Sequence, residues 1–317
     1  MQPSKHLSIF KYPNNMHYLV TGGAGFIGTN IVKKLLVDGH KVRVIDNYIA
    51  GKKSERFQDE AEYVEGDIRN LDDLKKVMVG IDGVFHEAAV PRVPYSVEHP
   101  QETNDHNLTG TINVLETAKE AGVKRVVFAT SSSVFGSDDP KALKEDAPKN
   151  PKSPYALQKL AGQEYCRLFS ELYGLETVSL CYYNIYGPYM DPEGAYALVI
   201  GKFLLQRQKG NPMTICGDGE YYRDYTHVDD CVRANILAMQ SDKVGKGEMI
   251  NVGNNNPHSV NDLAKLIGGD TVTIDARAGD PRYARADNTK AKELLGWEPE
   301  IELDDGIERL KKEWGIE

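Results

Sequence analysis

The sequence predicts an α/β fold built on a doubly wound parallel sheet, with a smaller and discontinuous C-terminal region, and three observations carry that expectation. Strand-like and helix-like segments alternate from residue 17 to residue 183. A glycine-rich turn joins the first strand to the first helix. The alternation then breaks where Gly and Pro cluster, from Gly187 to Gly194, before strand and helix patterns return. With 317 residues, 40% of them hydrophobic, the chain can bury a sizeable core.

Taken in order, short β-branched or aromatic runs predict strands at residues 17–21, 42–46, 61–64, 84–86, 126–130 and 177–181. Between the first two, Ile27, Ile31, Val32, Leu35 and Leu36 recur at helical spacing. Further helical patterns run over residues 71–79, 107–121 and 155–173. Alternation of this kind folds through right-handed crossovers into a parallel sheet. Beyond the break, a helix is expected over 195–207, a strand over 213–216, a helix over 228–239 and a strand over 249–252 that rejoins the first sheet. The domains expected from this reading are 16–183 plus 226–256, and 184–225 plus 257–317, with 1–15 as an N-terminal extension.

Charge and cysteine usage narrow the class. Against 47 Asp and Glu stand 38 Lys and Arg, a net charge of -9, which opposes nucleic acid as a partner but leaves room for a small anion gripped by a few arginines. Cys166, Cys181, Cys216 and Cys231 form no CxxC pair and suit a reducing compartment. No run approaches the ~18 apolar residues of a membrane span and the start of the chain is polar, so no membrane partner and a cytoplasmic location are expected. His227 and Cys231 share a helix face, but two ligands do not make a metal site, and no metal is expected.

The string Thr21-Gly22-Gly23-Ala24-Gly25-Phe26-Ile27-Gly28 places glycines at i, i+3 and i+6 between strand and helix. A tight turn alone would suit the same residues. In a βαβ context, however, the string is the Rossmann-type fingerprint, in which bare backbone approaches a pyrophosphate at the helix N-terminus. Asp46 closes the second strand 18 residues beyond Gly28, where a carboxylate accepts from ribose hydroxyls and repels a 2′-phosphate, which favours NAD over NADP. Asp67 and Ile68 follow the third strand and are candidates to bracket an adenine. Tyr155 and Lys159, four apart, stack a phenol and an ammonium on one helical face. A fixed cation should draw the phenol down from its ordinary ~10 toward the range of a general base. The pair follows Ser131-Ser132-Ser133, at the strand end where open α/β sheets hold ligands.

Four strings in order, TGGAGFIG, SSSVFG, YALQK and RDYTHVDD, resemble the extended short-chain dehydrogenase/reductase family, and within it the nucleotide-sugar epimerases, over residues 17–315. The resemblance implies that Gly22, Gly25, Gly28 and Asp46 bind NAD, with Phe26, Ile27, Asn47, Asp67, Ile68 and Ala88 beside them. It makes Tyr155 the catalytic base, Lys159 the residue that holds the nicotinamide ribose, Ser131 the partner of the sugar 4-hydroxyl, and Asn107 a support of the cofactor site. Asn184, Arg223 and Arg277 would hold the diphosphate and Asp280 the uridine ribose, with Ala195 and Val199 on the substrate wall. Phe135 stands where the family usually has Tyr. Ser132 and Ser133 stand where dehydrating relatives carry Asp-Glu, and decarboxylating relatives carry Glu at the second place. Ala284 stands where relatives limited to glucose and galactose nucleotides carry Tyr, which leaves room for a 2-acetamido group.

The implied function is NAD-dependent 4-epimerisation of UDP-N-acetylglucosamine and UDP-N-acetylgalactosamine, extending to UDP-glucose and UDP-galactose, through a 4-keto sugar in a homodimeric enzyme. A UDP-glucuronate 4-epimerase, with Arg92 meeting the carboxylate, and a binding module without turnover are the alternatives.

Overall fold

A computed structural model describes residues 15–193, 198–275 and 282–316. Ala195, Arg277, Asp280 and the extension up to residue 14 lie outside the described residues.

The main sheet is formed by β1 (His17–Thr21), β2 (Lys41–Asp46), β3 (Glu62–Glu65), β4 (Gly83–His86), β5 (Arg125–Ser131), β6 (Glu176–Tyr182) and β7 (Lys246–Val252). They are all parallel, in the spatial order β7-β6-β5-β4-β1-β2-β3. The order reverses between β1 and β4, the switch point at which such sheets leave a crevice beyond the strand ends. The alternation of a strand sends Tyr18 and Val20 into one core and Leu19 into the other, so the sheet is buried on both faces.

Helices α1 (Phe26–Val37) and α2 (Leu71–Val77) follow the first and third strands, and the short helices α3 (Val93–Glu98) and α4 (Pro100–Asn104) follow β4. The sequence pattern did not indicate α3 or α4. Pro94 and Pro100 break the helical periodicity, yet each sits in the first turn of a helix, where a missing N–H costs nothing. The helix expected from residue 107 starts at Gly110 as α5 (Gly110–Glu120), after a π-helical turn over Asp105–Thr109. Next comes α6 (Pro154–Tyr173), which begins because the Ser153 hydroxyl accepts the Ala156 N–H at 3.2 Å ahead of Pro154, and ends at Gly174 with a φ of 71°.

The second region carries α7 (Val199–Gln208) and three small strand pairs: Ile185–Tyr186 with Thr226–His227, Met213–Cys216 with Thr271–Ile274, and Tyr222–Arg223 with His258–Ser259. Between them the chain returns to the main sheet through α8 (Val228–Gln240) and β7. Arg125, fully buried in β5, fixes this return by donating to the carbonyls of Ala238, Met239, Ser241 and Val244 at 2.7–3.0 Å. Helices α9 (Val260–Ile267), α10 (Thr289–Leu295) and α11 (Leu303–Glu313) complete the chain.

A separate core joins Phe203 and Leu204 of α7 to Leu263 and Ile267 of α9 and to Leu303, Ile307 and Leu310 of α11. Ala291, Leu295 and Trp297, expected with the second region, pack into the first region's core instead. We propose the two-domain division read from the sequence with that one return.

Candidate active site

A cleft of about 1040 Å³ opens at the C-terminal ends of β1, β2, β4, β5 and β6 and is closed on its far side by the second region. Its cofactor-side wall takes in Gly22, Gly25, Phe26, Ile27, Gly28, Asp46, Asn47, Ile68 and Ala88 of the expected residues. Arg92, Ser131, Ser132, Ser133, Tyr155, Lys159, Asn184, Val199, Arg223 and Ala284 line the remainder. Among the described residues, two expected ones fall outside it. Asn107 is buried in the π-helical turn, where its side chain accepts from Val90 N at 2.7 Å and donates to Val90 O and Gln158 Oε1. It therefore shapes the wall from behind. Asp67 spends its carboxylate on Arg69 at 2.7 Å and Asn47 Nδ2 at 3.0 Å, so it positions Asn47.

The glycine turn is set by sterics. Gly22 has a φ of +70°, and a Cβ there would meet Ala88 N at 2.7 Å; a Cβ on Gly28 would meet Gly22 O at 2.3 Å. Turn and helix are thus in backbone contact. A Cβ on Gly25 would find only Gly22 O, at 3.1 Å, and would otherwise stand toward the cleft. At this N-cap α1 has no side-chain cap and no acidic residue in its first turn, which suits an anion. Asp46 accepts from Ala24 N at 3.0 Å and Tyr48 N at 2.8 Å, and burial raises its carboxyl against those two bonds. A bare helix start and a carboxylate at the end of β2 fit the pyrophosphate and ribose of NAD.

Across the crevice, the buried Tyr155 phenol lies near Ser131, which favours its ionised form. Ser131 Oγ in turn accepts from Ser133 N at 3.3 Å and from Ser133 Oγ at 3.0 Å. The expected lowering of the phenol by Lys159 is not what the fold produces. Burial pushes Tyr155 up to about 12, with Ser131 opposing only part of that rise. Lys159, only 3% exposed, donates from Nζ to Ala129 O at 2.8 Å, and burial pulls it down to about 8. At neutral pH the folded chain therefore presents Tyr155 as a phenol with its proton in place.

Sequence reading missed three groups. His86 bridges Thr21 Oγ1 at 2.7 Å and Thr111 Oγ1 at 2.9 Å, fully buried, and burial drives it down to about 3, so it is a neutral brace between β1, β4 and α5. Arg56 donates to Ala24 O in the glycine turn and, at 2.6 Å, to Tyr189 O, which ties the turn to the second region. Glu87, next to His86, accepts from the Tyr182 hydroxyl at 2.8 Å. No short-range pattern could have flagged these, since each partner is at least 25 residues away in the chain.

Fold and cleft together define a dinucleotide-dependent enzyme of the doubly wound α/β class. The chain belongs to the NAD-dependent epimerase/dehydratase family, whose model matches residues 18–253. NAD is its cofactor, and it is an isomerase. It is 38% identical over 305 residues to the UDP-glucose 4-epimerase of Mycolicibacterium smegmatis, across 92% of this chain and 96% of that one. It is similar in structure to the UDP-N-acetylglucosamine 4-epimerase from Methanobrevibacter ruminantium in complex with UDP-N-acetylmuramic acid, with a TM-score of 0.87 and 33% identity, covering 95% of this chain and 100% of the other. A UDP-glucuronic acid 4-epimerase from Bacillus cereus, in complex with UDP-glucuronic acid and NAD, matches with a TM-score of 0.85 and 31% identity over 95% of this chain and 99% of its own.

Proposed function

We propose that this isomerase interconverts UDP-N-acetylglucosamine and UDP-N-acetylgalactosamine, and with them the unacetylated UDP-glucose and UDP-galactose. The observation that carries the reading is one cleft lined by Ser131, Tyr155 and Lys159 together with Ala284. A methyl group at that place leaves the C2 substituent of a hexose unopposed.

NAD, held by the glycine turn and Asp46, supplies the reversible oxidation that makes C4 planar, and no net redox change results. Tyr155 must first give its own phenolic proton to solvent. The phenolate then takes the proton of the sugar 4-hydroxyl and gives it back to the 4-oxygen after inversion, and Ser131 orients both. Lys159 keeps positive charge beside the phenol, where it favours phenolate as the proton leaves. Arg223 and Asn184, from the second region, meet the diphosphate. Ser132 and Ser133 offer no group that titrates near neutral pH, which supports inversion without loss of water. The cleft between two regions excludes water from a reactive ketone.

Arg92, which lines the same cleft, favours the second reading, a UDP-glucuronate 4-epimerase, since a guanidinium suits a carboxylate. Purified protein incubated separately with UDP-N-acetylglucosamine, UDP-glucose and UDP-glucuronate, with the products separated, decides between them. Conversion of the first to its 4-epimer supports the proposal. Conversion of UDP-glucuronate alone would replace it with the second reading.

A further inference from the structure

Two neighbouring titratable side chains leave the end of β4 in opposite directions. His86 turns inward to Thr21 and Thr111, while Glu87 keeps part of its surface on the cleft. Glu87 Oε1 accepts the Tyr182 hydroxyl at 2.8 Å, and that hydroxyl accepts from Asn235 Nδ2 at 2.7 Å. The carboxyl is thereby fixed from β6 and, through Asn235, from α8. His86 pairs with Phe128 across β4 and β5, which sets Ala129 beside Glu87. Lys159 of α6 donates to that Ala129 carbonyl at 2.8 Å, so the ammonium and the carboxyl come to the same strand ends on one cleft.

The remaining titratable groups around this pair come from four elements. Tyr155 of α6, Tyr182 of β6 and Cys231 of α8 face the carboxyl, and His86 of β4 and Cys166 of α6 face the ammonium. Burial pushes Tyr155 and Cys166 up to about 12, raises Tyr182 and Cys231, and lowers His86 to about 3. All five are neutral near pH 7. Burial likewise raises Glu87, to about 7, and lowers Lys159, to about 8, and each charge offsets part of the other's burial cost. Within this group, only these two change charge in the neutral range.

We propose that Glu87 is a positioning residue acting through Lys159: its carboxylate, held by Tyr182 and Asn235, is the counter-charge that keeps the lysine an ammonium in a site otherwise lined by neutral groups. The consequence for turnover rests on the reading of Lys159 given above; the placement of Glu87 does not. Glu87→Gln keeps the size of the side chain and an acceptor for the Tyr182 hydroxyl while deleting the charge. Lys159 should then lose its proton at lower pH, because the group that raised its affinity for the proton is gone.

The test is the pH titration of the Lys159 Nζ resonance, followed by NMR on NAD-bound protein carrying nitrogen-labelled lysine, in wild type, Glu87→Gln and Glu87→Asp. The expected result is a titration midpoint lower by about half a pH unit or more in Glu87→Gln, a threefold loss of proton affinity, with Glu87→Asp restoring most of it. The alkaline limb of kcat should move with the midpoint while KM for the UDP-sugar stays put. An unchanged midpoint in Glu87→Gln overturns the proposal. A moved midpoint in a protein that turns over no UDP-sugar upholds the role of Glu87 and sinks the proposed function instead.

Discussion

Replacing Gly25 and Gly28 separately by Ala distinguishes a turn built for a ligand from a turn built for the fold. At Gly28 the added Cβ would lie 2.3 Å from Gly22 O and 2.7 Å from Gly23 Cα, and both are backbone atoms that no rotamer change can move. Either α1 or the turn must shift, an overpacking that costs ~1–3 kcal/mol. For a chain of 317 residues each kcal/mol lowers Tm by about 1.5 °C, so Gly28→Ala should melt ~1.5–4.5 °C below wild type when stripped of cofactor. At Gly25 the Cβ meets only Gly22 O, at 3.1 Å, and Ala is a poorer N-cap than Gly by ~1 kcal/mol, so the stripped protein should melt about 1.5 °C below wild type. That methyl stands in the pyrophosphate cradle, however, and the same ~1–3 kcal/mol falls on binding as a loss of NAD affinity of ~5- to 150-fold. Differential scanning calorimetry of the stripped proteins and titration calorimetry with NAD read the two effects apart. If Gly25→Ala binds NAD like wild type, the cradle is misplaced and the cofactor geometry argued above fails.

Other perturbations address separate parts of the structure. Tyr155→Phe should lose ~10²- to 10⁴-fold in kcat while purifying with NAD at wild-type content, measured by product formation and by the cofactor released on denaturation. Ala284→Tyr should lower kcat/KM for UDP-N-acetylglucosamine ~10-fold or more and leave that for UDP-glucose within about twofold; equal losses for both sugars would remove Ala284 from the specificity argument. Arg125→Met strands four buried carbonyls and Glu176, and should cost ~3–5 kcal/mol in denaturant unfolding without changing KM. His86 has a folded value of about 3, below its ordinary ~6.5, so the unfolded chain binds the proton more readily and the stability His86 contributes is lost as pH falls through that window. Unfolding free energy should accordingly drop by up to ~1.4 kcal/mol per pH unit more steeply between about pH 6 and 4 in wild type than in His86→Gln.

What could be read in the sequence is what local spacing encodes. The six strands up to residue 182 and the glycine turn follow from short β-branched or aromatic runs and from residues within one βαβ unit, and Tyr155 and Lys159 from one turn of one helix. Where partners are distant, the reading ran out. Asn107 sits at the expected place in the chain, but the π-helical turn over Asp105–Thr109 spends its side chain on Val90 and Gln158. The phenol of Tyr155 was expected to be lowered by its helical neighbour, yet burial from several elements outweighs that pairing, and Lys159 turns to Ala129 on β5. Glu87 reads as an unremarked residue after a strand, and its significance depends on Tyr182, 95 residues on, and Asn235 beyond that. The helices α3 and α4 escaped because their prolines break periodicity while fitting a first turn.

The central claim is that configuration inverts at C4 of a UDP-sugar by reversible oxidation at one NAD within the closed cleft. It is tested most directly by supplying UDP-N-acetylglucosamine deuterated at C4 and analysing the product by NMR and mass spectrometry. The account predicts UDP-N-acetylgalactosamine with the deuterium retained at C4 and no solvent hydrogen in its place, since the cofactor that takes the label returns it to the opposite face before the site opens. A product inverted at C4 that has exchanged its label with water, or inversion at any other carbon, would contradict it.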